Sequence, residues 1–206
     1  MPLTPGCPRC PTPGVEDGSR WSCPEHGTLA PLWRPGEASY EGFVEHLGIA
    51  AEVPTYVPWP LSPGWRVTDF AAVADRAAMT CVAGASELDG PVEVIMVAEE
   101  PGTGLGARLA GTRHDDPGED LGQGPPTTRV RIESQTVPLW PVSVNLDGGE
   151  WDRSVLAGEA RGRWLWIVVR PASAVLLLQD PWILRDVSDL GPALVEVPFG
   201  GPAPTW

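Results

Sequence analysis

The octapeptide RWLWIVVR, residues 163–170, predicts the central element of the fold. All of its inner residues are apolar, and an arginine stands at each end. Because the side chains of a strand point alternately to opposite faces, an unbroken apolar run of this length is typical of a strand that is covered on both sides. We therefore expect residues 163–170 to lie in the middle of a sheet.

Further short apolar stretches follow one another along the chain after residue 65, and they indicate more strands. Short links such as Pro171-Ala172-Ser173 favour antiparallel hairpins between them. The predicted fold class is α+β, a mostly antiparallel sheet with few short helices. A helix is expected near residues 41–47 and a helical turn at residues 186–190, and the other strands are expected at residues 66–73, 77–83, 92–98, 129–134, 137–144, 155–160, 174–178 and 194–198.

Composition and charge exclude several classes of protein. The 206 residues include 24 glycines and 25 prolines, which argues against a helical bundle and for many turns. A hydrophobic share of 42% and ten tryptophans argue against a disordered chain. The formal net charge is −13, and the 14 basic residues are all arginine. This charge disfavours nucleic acid and anionic membranes as partners.

The N-terminal segment contains the pattern Cys7-Pro8-Arg9-Cys10 and, after 12 intervening residues, Cys23-Pro24-Glu25-His26. Two ligands separated by two residues can meet one ion at a tight turn, and two such turns supply four tetrahedral positions. Three thiolates and an imidazole favour zinc over magnesium or calcium. Because four protein ligands leave no position for water, Cys7, Cys10, Cys23 and His26 predict a structural zinc site.

The alternative for these cysteines is a disulfide, with His26 incidental. The segment resembles the zinc ribbon, in which cysteine usually takes all four places and which here has His26 as the last ligand. We expect the zinc to rigidify the N-terminus and to dock Trp21 and Trp33 against the sheet. About thirty residues bury too little apolar surface to fold alone, so metal binding and folding should be coupled.

The N-terminus lacks the pattern of a secretory signal, and no apolar run is long enough to span a membrane, so we expect a cytoplasmic protein. A reducing compartment also suits cysteines that bind a metal. The remaining cysteine, Cys81, falls in a predicted strand and is interpreted as a buried apolar residue rather than a nucleophile.

Residues 30–63 are rich in proline and aromatic side chains. Spaced prolines impose extended backbone, so we expect the helix near residue 41 to be followed by a strap whose tryptophans cover the core edge. A PxxP ligand of an SH3 domain at residues 60–63 is the alternative. The predicted organisation is a zinc-ribbon module at 1–32, a proline and aromatic strap at 33–64 and an α+β sheet domain at 65–206.

A glycine-rich loop follows the predicted strand at residues 92–98. The sequence Glu99-Glu100-Pro101-Gly102-Thr103-Gly104-Leu105-Gly106 leads from this strand into a short helix, a geometry that can present backbone N–H groups to a phosphate. It is similar to the pyrophosphate loop of Gcn5-type acetyltransferases. That resemblance places Gly102, Gly104 and Gly106 at acetyl-coenzyme A, and the enzyme hypothesis adds Arg108 as counter-charge to the phosphate-bearing ligand. The alternative is a tight turn whose glycines allow close packing.

A polar loop at residues 112–126 follows this helix and holds His114, Asp115 and Asp116. These side chains could ligate a metal or supply a base. Adjacent residues on a loop diverge, however, and a mobile solvent-exposed segment is the favoured interpretation.

The ribbon, the strap with PWPLSPGW at residues 58–65, the EEPG to RLAG loop at residues 99–111 and the strand with Trp164-Leu165-Trp166 together resemble an uncharacterised family of actinobacterial proteins. This resemblance implies no activity. We expect a non-catalytic interaction or ligand-binding module whose partner is another protein or a small molecule. The alternative is an acyltransferase-like enzyme that binds acetyl-coenzyme A or another phosphate-bearing ligand at residues 102–106, and a nucleic-acid-associated ribbon protein is third.

Overall fold

The computed structural model of the protein describes residues 3–18, 20–118, 121–144, 152–179 and 182–206. Within these residues the α-helices are α1 (Tyr40–Ala50) and α2 (Leu105–Ala110), and 3-10 helices span Ala172–Leu178 and Gly191–Glu196. The strands are β1 (Thr4–Gly6), β2 (Val15–Asp17), β3 (Arg20–Cys23), β4 (Gly27–Thr28), β5 (Leu32–Arg34), β6 (Tyr56–Pro58), β7 (Arg66–Val73), β8 (Ala77–Ser86), β9 (Gly90–Glu99), β10 (Thr128–Ile132), β11 (Gln135–Pro141), β12 (Ser154–Ala160), β13 (Arg163–Arg170) and β14 (Ile183–Asp186).

One sheet of 11 strands has the order β1-β5-β7-β8-β9-β13-β12-β11-β10-β14-β6, and β2, β3 and β4 form a small second sheet. Among the described strands, neighbours pair antiparallel except for the parallel pair β10 and β14. Strand β13 lies in the middle of the large sheet, where Val168 pairs with Ile95 of β9 and Val155 of β12. The predictions of a mostly antiparallel sheet with few short helices and of a central strand at residues 163–170 are confirmed.

Each face of the central strands packs against its own apolar layer. On one face, Met96 of β9 and Ile167 of β13 join the core that also contains Phe43 of α1. On the other face, Val97 and Trp166 pack in a layer with the residues of α2. Since successive side chains of a strand alternate between faces, an unbroken apolar strand requires both layers. Cys81 of β8 has no exposed surface in the second layer, which confirms its interpretation as a buried apolar residue.

Strands β14 and β6, at the end of the sheet order, pack over the apolar layer that contains Phe43. Tyr56 and Val57 of β6 lie in the same core as Val82 of β8. The hydroxyl of Thr80, also on β8, donates a hydrogen bond to the carbonyl of Tyr56. The sheet therefore encloses much of its own core, and residues 56–58 of the predicted strap cover that core as a strand of the sheet.

Helix α1 covers the core beside β7. It begins at its N-cap Ser39, whose side chain accepts a hydrogen bond from the N–H of Gly42 at 3.2 Å. Phe43 is fully buried and meets Phe70 of β7 edge to face, with ring centroids 5.1 Å apart. The predicted helix at residues 41–47 is present, and it is longer than predicted because it spans Tyr40–Ala50. Among the described residues, no helix is long and apolar enough to cross a membrane.

The strand predicted at residues 174–178 is wrong. This segment is the 3-10 helix Ala172–Leu178, in which Ala174 and Leu178 are buried. An alternating strand would bury Leu176 together with these residues, but 58% of Leu176 is exposed. The predicted hairpin link at residues 171–173 is wrong for the same reason, because the helix starts there.

The strand predicted at residues 194–198 is also wrong, since most of it lies in the 3-10 helix Gly191–Glu196. A proline stands in the first turn of this helix, where its missing N–H removes no hydrogen bond. Leu194 is buried within this helix, and the buried Val197 just after it donates its backbone N–H to the carbonyl of Leu194. The helical turn expected at residues 186–190 is replaced by the end of β14 and a short turn. Strand β14 itself is too short to show an alternating pattern.

Strands β1 and β5 flank the segment with the candidate metal ligands. Thr4 pairs with Arg34 and Gly6 with Leu32, and β5 continues the large sheet by pairing with β7. The segment between them is therefore anchored at both ends to the main sheet. This placement brings the cysteines close to the loop that follows β9.

His46 of α1 is a buried titratable group outside any candidate site. It is completely buried, its Nε2 lies 3.2 Å from the hydroxyl of Thr55, and its ring stacks on Phe43 with centroids 5.3 Å apart. Burial lowers the pKa of His46 to about 3 from its ordinary value of 6.5. The imidazole is therefore neutral in the folded protein at physiological pH.

We predict that the free energy of unfolding falls as the pH is lowered from about 6.5 toward 3, because the unfolded chain binds a proton at His46 that the folded chain excludes. The lowered pKa of His46 corresponds to a loss of about 5 kcal/mol in the free energy of unfolding over that pH range. Chemical unfolding of wild type and His46→Gln at several pH values measures this loss as the difference between their two profiles of unfolding free energy against pH. The exposed His114→Gln variant is the control and should follow wild type. Parallel profiles for wild type and His46→Gln would contradict the prediction.

Candidate metal centre

Two turns bring the predicted metal ligands together. The first, residues 7–10, follows β1, and its Arg9 N–H points to the sulfur of Cys7 at 3.4 Å. The second connects β3 to β4, where the N–H groups of Glu25 and His26 donate to the sulfur of Cys23. Gly27 then leaves the turn with a positive φ of 71°, a conformation that glycine adopts without strain. Each turn thus directs backbone donors at its first cysteine.

The ligand atoms of Cys7, Cys10, Cys23 and His26 all lie within 4.8 Å of one another. The Nδ1 atom of His26 is 3.7 Å from the sulfur of Cys7 and 3.6 Å from that of Cys23, and the sulfurs of Cys10 and Cys23 are 3.5 Å apart. These cysteines are free thiols rather than a disulfide. The four residues form one group that could hold a metal ion.

The sulfurs are shielded from solvent, whereas the imidazole is not. Cys7, Cys10 and Cys23 are buried, and His26 is exposed. Burial raises the pKa of the Cys7 thiol to about 11. Burial also acts on Cys23, but hydrogen bonds from His26 and from the backbone outweigh it and lower the pKa of that thiol to about 6. A cation would hold both sulfurs as thiolates at neutral pH and would release protons on binding.

The ribbon has a small apolar cluster of its own. Trp21 packs with the three cysteines and Leu29 in a group separate from the two large cores. Gly14 lies against the indole so closely that an added Cβ would be 1.8 Å from its Cζ2 atom. The expectation that Trp21 docks on the main sheet is therefore wrong, because the indole covers the ligand cluster instead. Trp33 does pack against the main core.

Arg9 joins the first turn to the glycine-rich loop. Its guanidinium donates to the carbonyls of Gly102 and Thr103, the latter at 3.3 Å, and forms an ion pair with Asp115 at 3.1 Å. Arg9, which lies between Cys7 and Cys10 in the sequence, thus binds a loop more than ninety positions away.

Arg108 makes a second connection from α2. Its Nη1 donates to the carbonyl of Cys7, and its guanidinium lies over the indole of Trp206, 4.6 Å from the ring centroid. Arg34 covers the same indole at 4.1 Å and forms an ion pair of 2.7 Å with the buried carboxylate of Asp69. Trp206 donates its own N–H to Asp69 at 3.0 Å. The turn of the candidate ligands Cys7 and Cys10, helix α2 and the residues around Trp206 therefore share one network.

Comparison with protein-family models adds one finding. The model of a family of unknown function, DUF6758, matches residues 1–206, the whole chain. The chain belongs to this family. No curated protein and no solved structure matches the chain. Membership in DUF6758 confirms the expected resemblance to an uncharacterised family and assigns no activity.

In this DUF6758 chain, the glycine-rich loop forms the predicted strand, turn and helix: β9, residues 100–104 and α2. The buried carboxylate of Glu99 accepts hydrogen bonds from the N–H groups of Leu105 and Gly106 at 2.9 and 3.2 Å. Burial raises the pKa of Glu99 to about 7, although these N–H groups lower it. The N–H groups that would hold a phosphate thus already have an acceptor within the chain.

The glycines themselves are closely packed. An added Cβ at Gly106 would lie 2.2 Å from the indole of the buried Trp166, and one at Gly104 would lie 3.0 Å from Arg9. The N–H of Gly102 donates to Asp116 at 2.8 Å, and Trp164 donates to the same carboxylate. These contacts favour the close-packing alternative for the loop, and binding of acetyl-coenzyme A at Gly102, Gly104, Gly106 and Arg108 stays a prediction.

The polar loop after α2 is held more firmly than its composition suggests. Asp115 forms an ion pair with Arg9 of the first turn, and Asp116 accepts a hydrogen bond from Gly102 of the glycine-rich loop, so each carboxylate has a partner within the protein. Sequence reasoning missed these anchors and the role of Arg9. No local pattern could reveal them, because the paired residues are distant in sequence and only the sheet brings them together.

We predict that Arg108→Met lowers the free energy of unfolding by about 2 kcal/mol, because it removes the hydrogen bond to the Cys7 carbonyl and the cation–π contact with Trp206. Thermal or urea unfolding measures the loss. Arg129→Met, which changes an exposed arginine of β10, is the matched control and should unfold like wild type. Equal stability of the two variants would contradict a linking role for Arg108.

We predict opposite effects of two glycine-to-alanine substitutions in helices. Gly106→Ala should destabilise the protein by about 1–3 kcal/mol, because its Cβ would overlap the buried indole of Trp166. Gly48→Ala in α1 meets no atom within 4 Å and should stabilise it by about 0.5–1 kcal/mol through helix propensity. Urea unfolding of both variants measures these changes, and a Gly106→Ala variant as stable as wild type would contradict the close packing of Gly106 on Trp166.

Proposed function

We propose that Cys7, Cys10, Cys23 and His26 bind one structural Zn²⁺, and that the protein acts without catalysis as a zinc-stabilised binding module. The observation that carries this proposal is the convergence of the four ligand atoms within 4.8 Å from two turns that aim backbone N–H groups at their sulfurs. The metal would fix the ribbon, and the ribbon would hold the loop after β9 through Arg9.

The geometry of the donor set fits zinc. Tetrahedral zinc with bonds of about 2.3 Å to sulfur and about 2.0 Å to nitrogen separates sulfurs by about 3.8 Å and sulfur from nitrogen by about 3.5 Å. The corresponding separations here are 3.5 Å for Cys10 and Cys23 and 3.6 to 3.7 Å for His26 and its neighbouring sulfurs. A soft set of three thiolates and one imidazole also selects zinc over magnesium or calcium.

A structural role follows from the number of protein ligands. Four side chains complete a tetrahedral shell and leave no position for a water or substrate. In peptides of this size a structural zinc contributes on the order of 10 to 16 kcal/mol of apparent binding free energy at neutral pH. The ribbon, whose own apolar cluster is small, would depend on that contribution. A reducing compartment such as the cytoplasm would keep the thiols available.

A non-catalytic role is favoured by what surrounds the other candidate groups. The carboxylate of Glu99 accepts the N–H groups at the start of α2, and the guanidinium of Arg108 holds Cys7 and Trp206. The acyltransferase alternative needs these groups for a phosphate-bearing ligand. The net charge of −13 likewise gives no support to a nucleic-acid partner.

We predict that the purified protein contains about one zinc per chain and that Cys10→Ser loses it and unfolds at a lower temperature. Elemental analysis and thermal unfolding measure both quantities. Cys81→Ala is the control, since it removes a buried cysteine outside the ribbon and should keep the zinc. His26→Cys should also keep the zinc, whereas His26→Ala should weaken its binding. Purified protein without stoichiometric zinc would refute the proposal.

A further inference from the structure

A groove with a volume of about 470 Å³ lies between the segment after β6 and the turn that joins β8 to β9. Three tryptophans, Trp59, Trp65 and Trp182, line it together with Pro58 and Pro60. Concave sites lined by aromatic side chains are where proteins bind small molecules or peptides. The groove is remote from the metal centre, because the turn at residues 86–90 and the loop after Glu99 lie at opposite ends of β9, roughly 30 Å apart.

The tryptophans are held in place before any ligand binds. Trp65 lies so close to Gly84 that an added Cβ there would be 2.5 Å from the indole, and its ring meets that of Trp182 edge to face at 5.9 Å. Trp182 donates its indole N–H to the carbonyl of Leu177 at 3.0 Å. At Trp59 the backbone N–H donates to the carbonyl of Ile183 at 2.8 Å, and the guanidinium of Arg185 lies over the ring. Because little side-chain freedom is left to lose, such a surface binds at a low entropic cost.

The groove offers hydrogen-bond donors and exposed apolar surface. Within the described ranges, the indole N–H groups of Trp59 and Trp65 have no acceptor in the protein. Leu88 at the rim is 92% exposed and Ile183 is 44% exposed, so both add apolar surface beside the three tryptophans. A suitable ligand would cover the apolar side chains of Leu88 and Ile183 and accept hydrogen bonds from the indole N–H groups of Trp59 and Trp65.

A polyproline II segment has the chemistry that this surface requires. It makes no internal hydrogen bonds, so its carbonyls are free to accept from indole N–H groups, and its proline rings pack flat on aromatic side chains. Its restricted backbone adds little further entropic cost. The bound segment would lie along the tryptophans as proline-rich peptides do in other aromatic grooves.

Charge at the rim indicates the flanking residue of the partner. The exposed Glu87 lines the groove, and the chain as a whole carries a net charge of −13. Arg185 is the nearby cation, and its guanidinium lies over the ring of Trp59 at 5.2 Å. The open carboxylate of Glu87 and the acidic chain favour a partner with a basic residue beside its prolines.

We propose that this tryptophan groove binds a proline-rich protein segment that carries arginine, with Trp59 and Trp65 donating to its carbonyls and Glu87 pairing with its guanidinium. This partner class rests on the proposed binding role of the protein but not on the metal. Zinc content therefore tests the metal centre, and peptide binding tests the groove, each without the other.

The test titrates a synthetic peptide of about twelve residues, built from repeats of Arg-Pro-Leu-Pro, into the full-length protein and follows tryptophan fluorescence. We expect saturable binding that weakens with added salt. Replacing the peptide's prolines by alanine should abolish binding, and replacing its arginines by glutamate should weaken it at least tenfold. Binding that does not distinguish these peptides, or no saturable signal with any of them, would overturn the proposal.

Variants of the protein locate the site. Trp65→Phe keeps an aromatic ring without the N–H and should weaken binding by about tenfold, and Glu87→Gln should weaken it several-fold with a flatter salt dependence. Trp140→Phe, whose indole bonds to Gly124 outside the groove, is the matched control and should bind like wild type. Equal affinity of Trp65→Phe, Glu87→Gln and wild type would place the peptide elsewhere. A concentration-dependent dimer abolished by Trp65→Phe would assign the groove to a second copy and overturn the proposal.

Discussion

Two guanidinium groups connect the turn of the candidate ligands Cys7 and Cys10 to the sheet of this protein. Arg9 binds the carbonyls of the loop after β9, and Arg108 binds the carbonyl of Cys7 from α2. Arginine suits this task because its planar fork can serve several acceptors at once while its charge persists when partly buried. The ribbon, the glycine-rich loop and the residues around Trp206 are consequently positioned relative to one another. Strands β1 and β5 also tie the ribbon to the sheet.

The features that sequence reasoning predicted correctly are those that leave a local pattern. The unbroken apolar run of β13 reflects burial on both faces, and the paired turns at Cys7 and Cys23 reflect the reach of two side chains toward one point. Each of these constraints acts within a few residues of chain. The spacing of apolar residues therefore predicts the strand, and the spacing of cysteine and histidine predicts the ligand cluster.

The features that it missed depend on residues far apart in the chain. Asp116 and Arg9 bind the glycine-rich loop, but the sequence around each of them does not indicate which residue it will contact. The 3-10 helices at Ala172–Leu178 and Gly191–Glu196 resemble strands in composition, since both contain runs of aliphatic residues. Which of those residues become buried is decided by tertiary packing, and a single sequence does not display it.

The unequal exposure of the four candidate ligands has a kinetic consequence for any bound ion. The imidazole of His26 faces solvent, whereas the sulfurs of Cys7, Cys10 and Cys23 lie beneath Trp21 and Leu29. A chelator or a competing ion would meet the imidazole first, whereas the burial of the three sulfurs would shield them from oxidants.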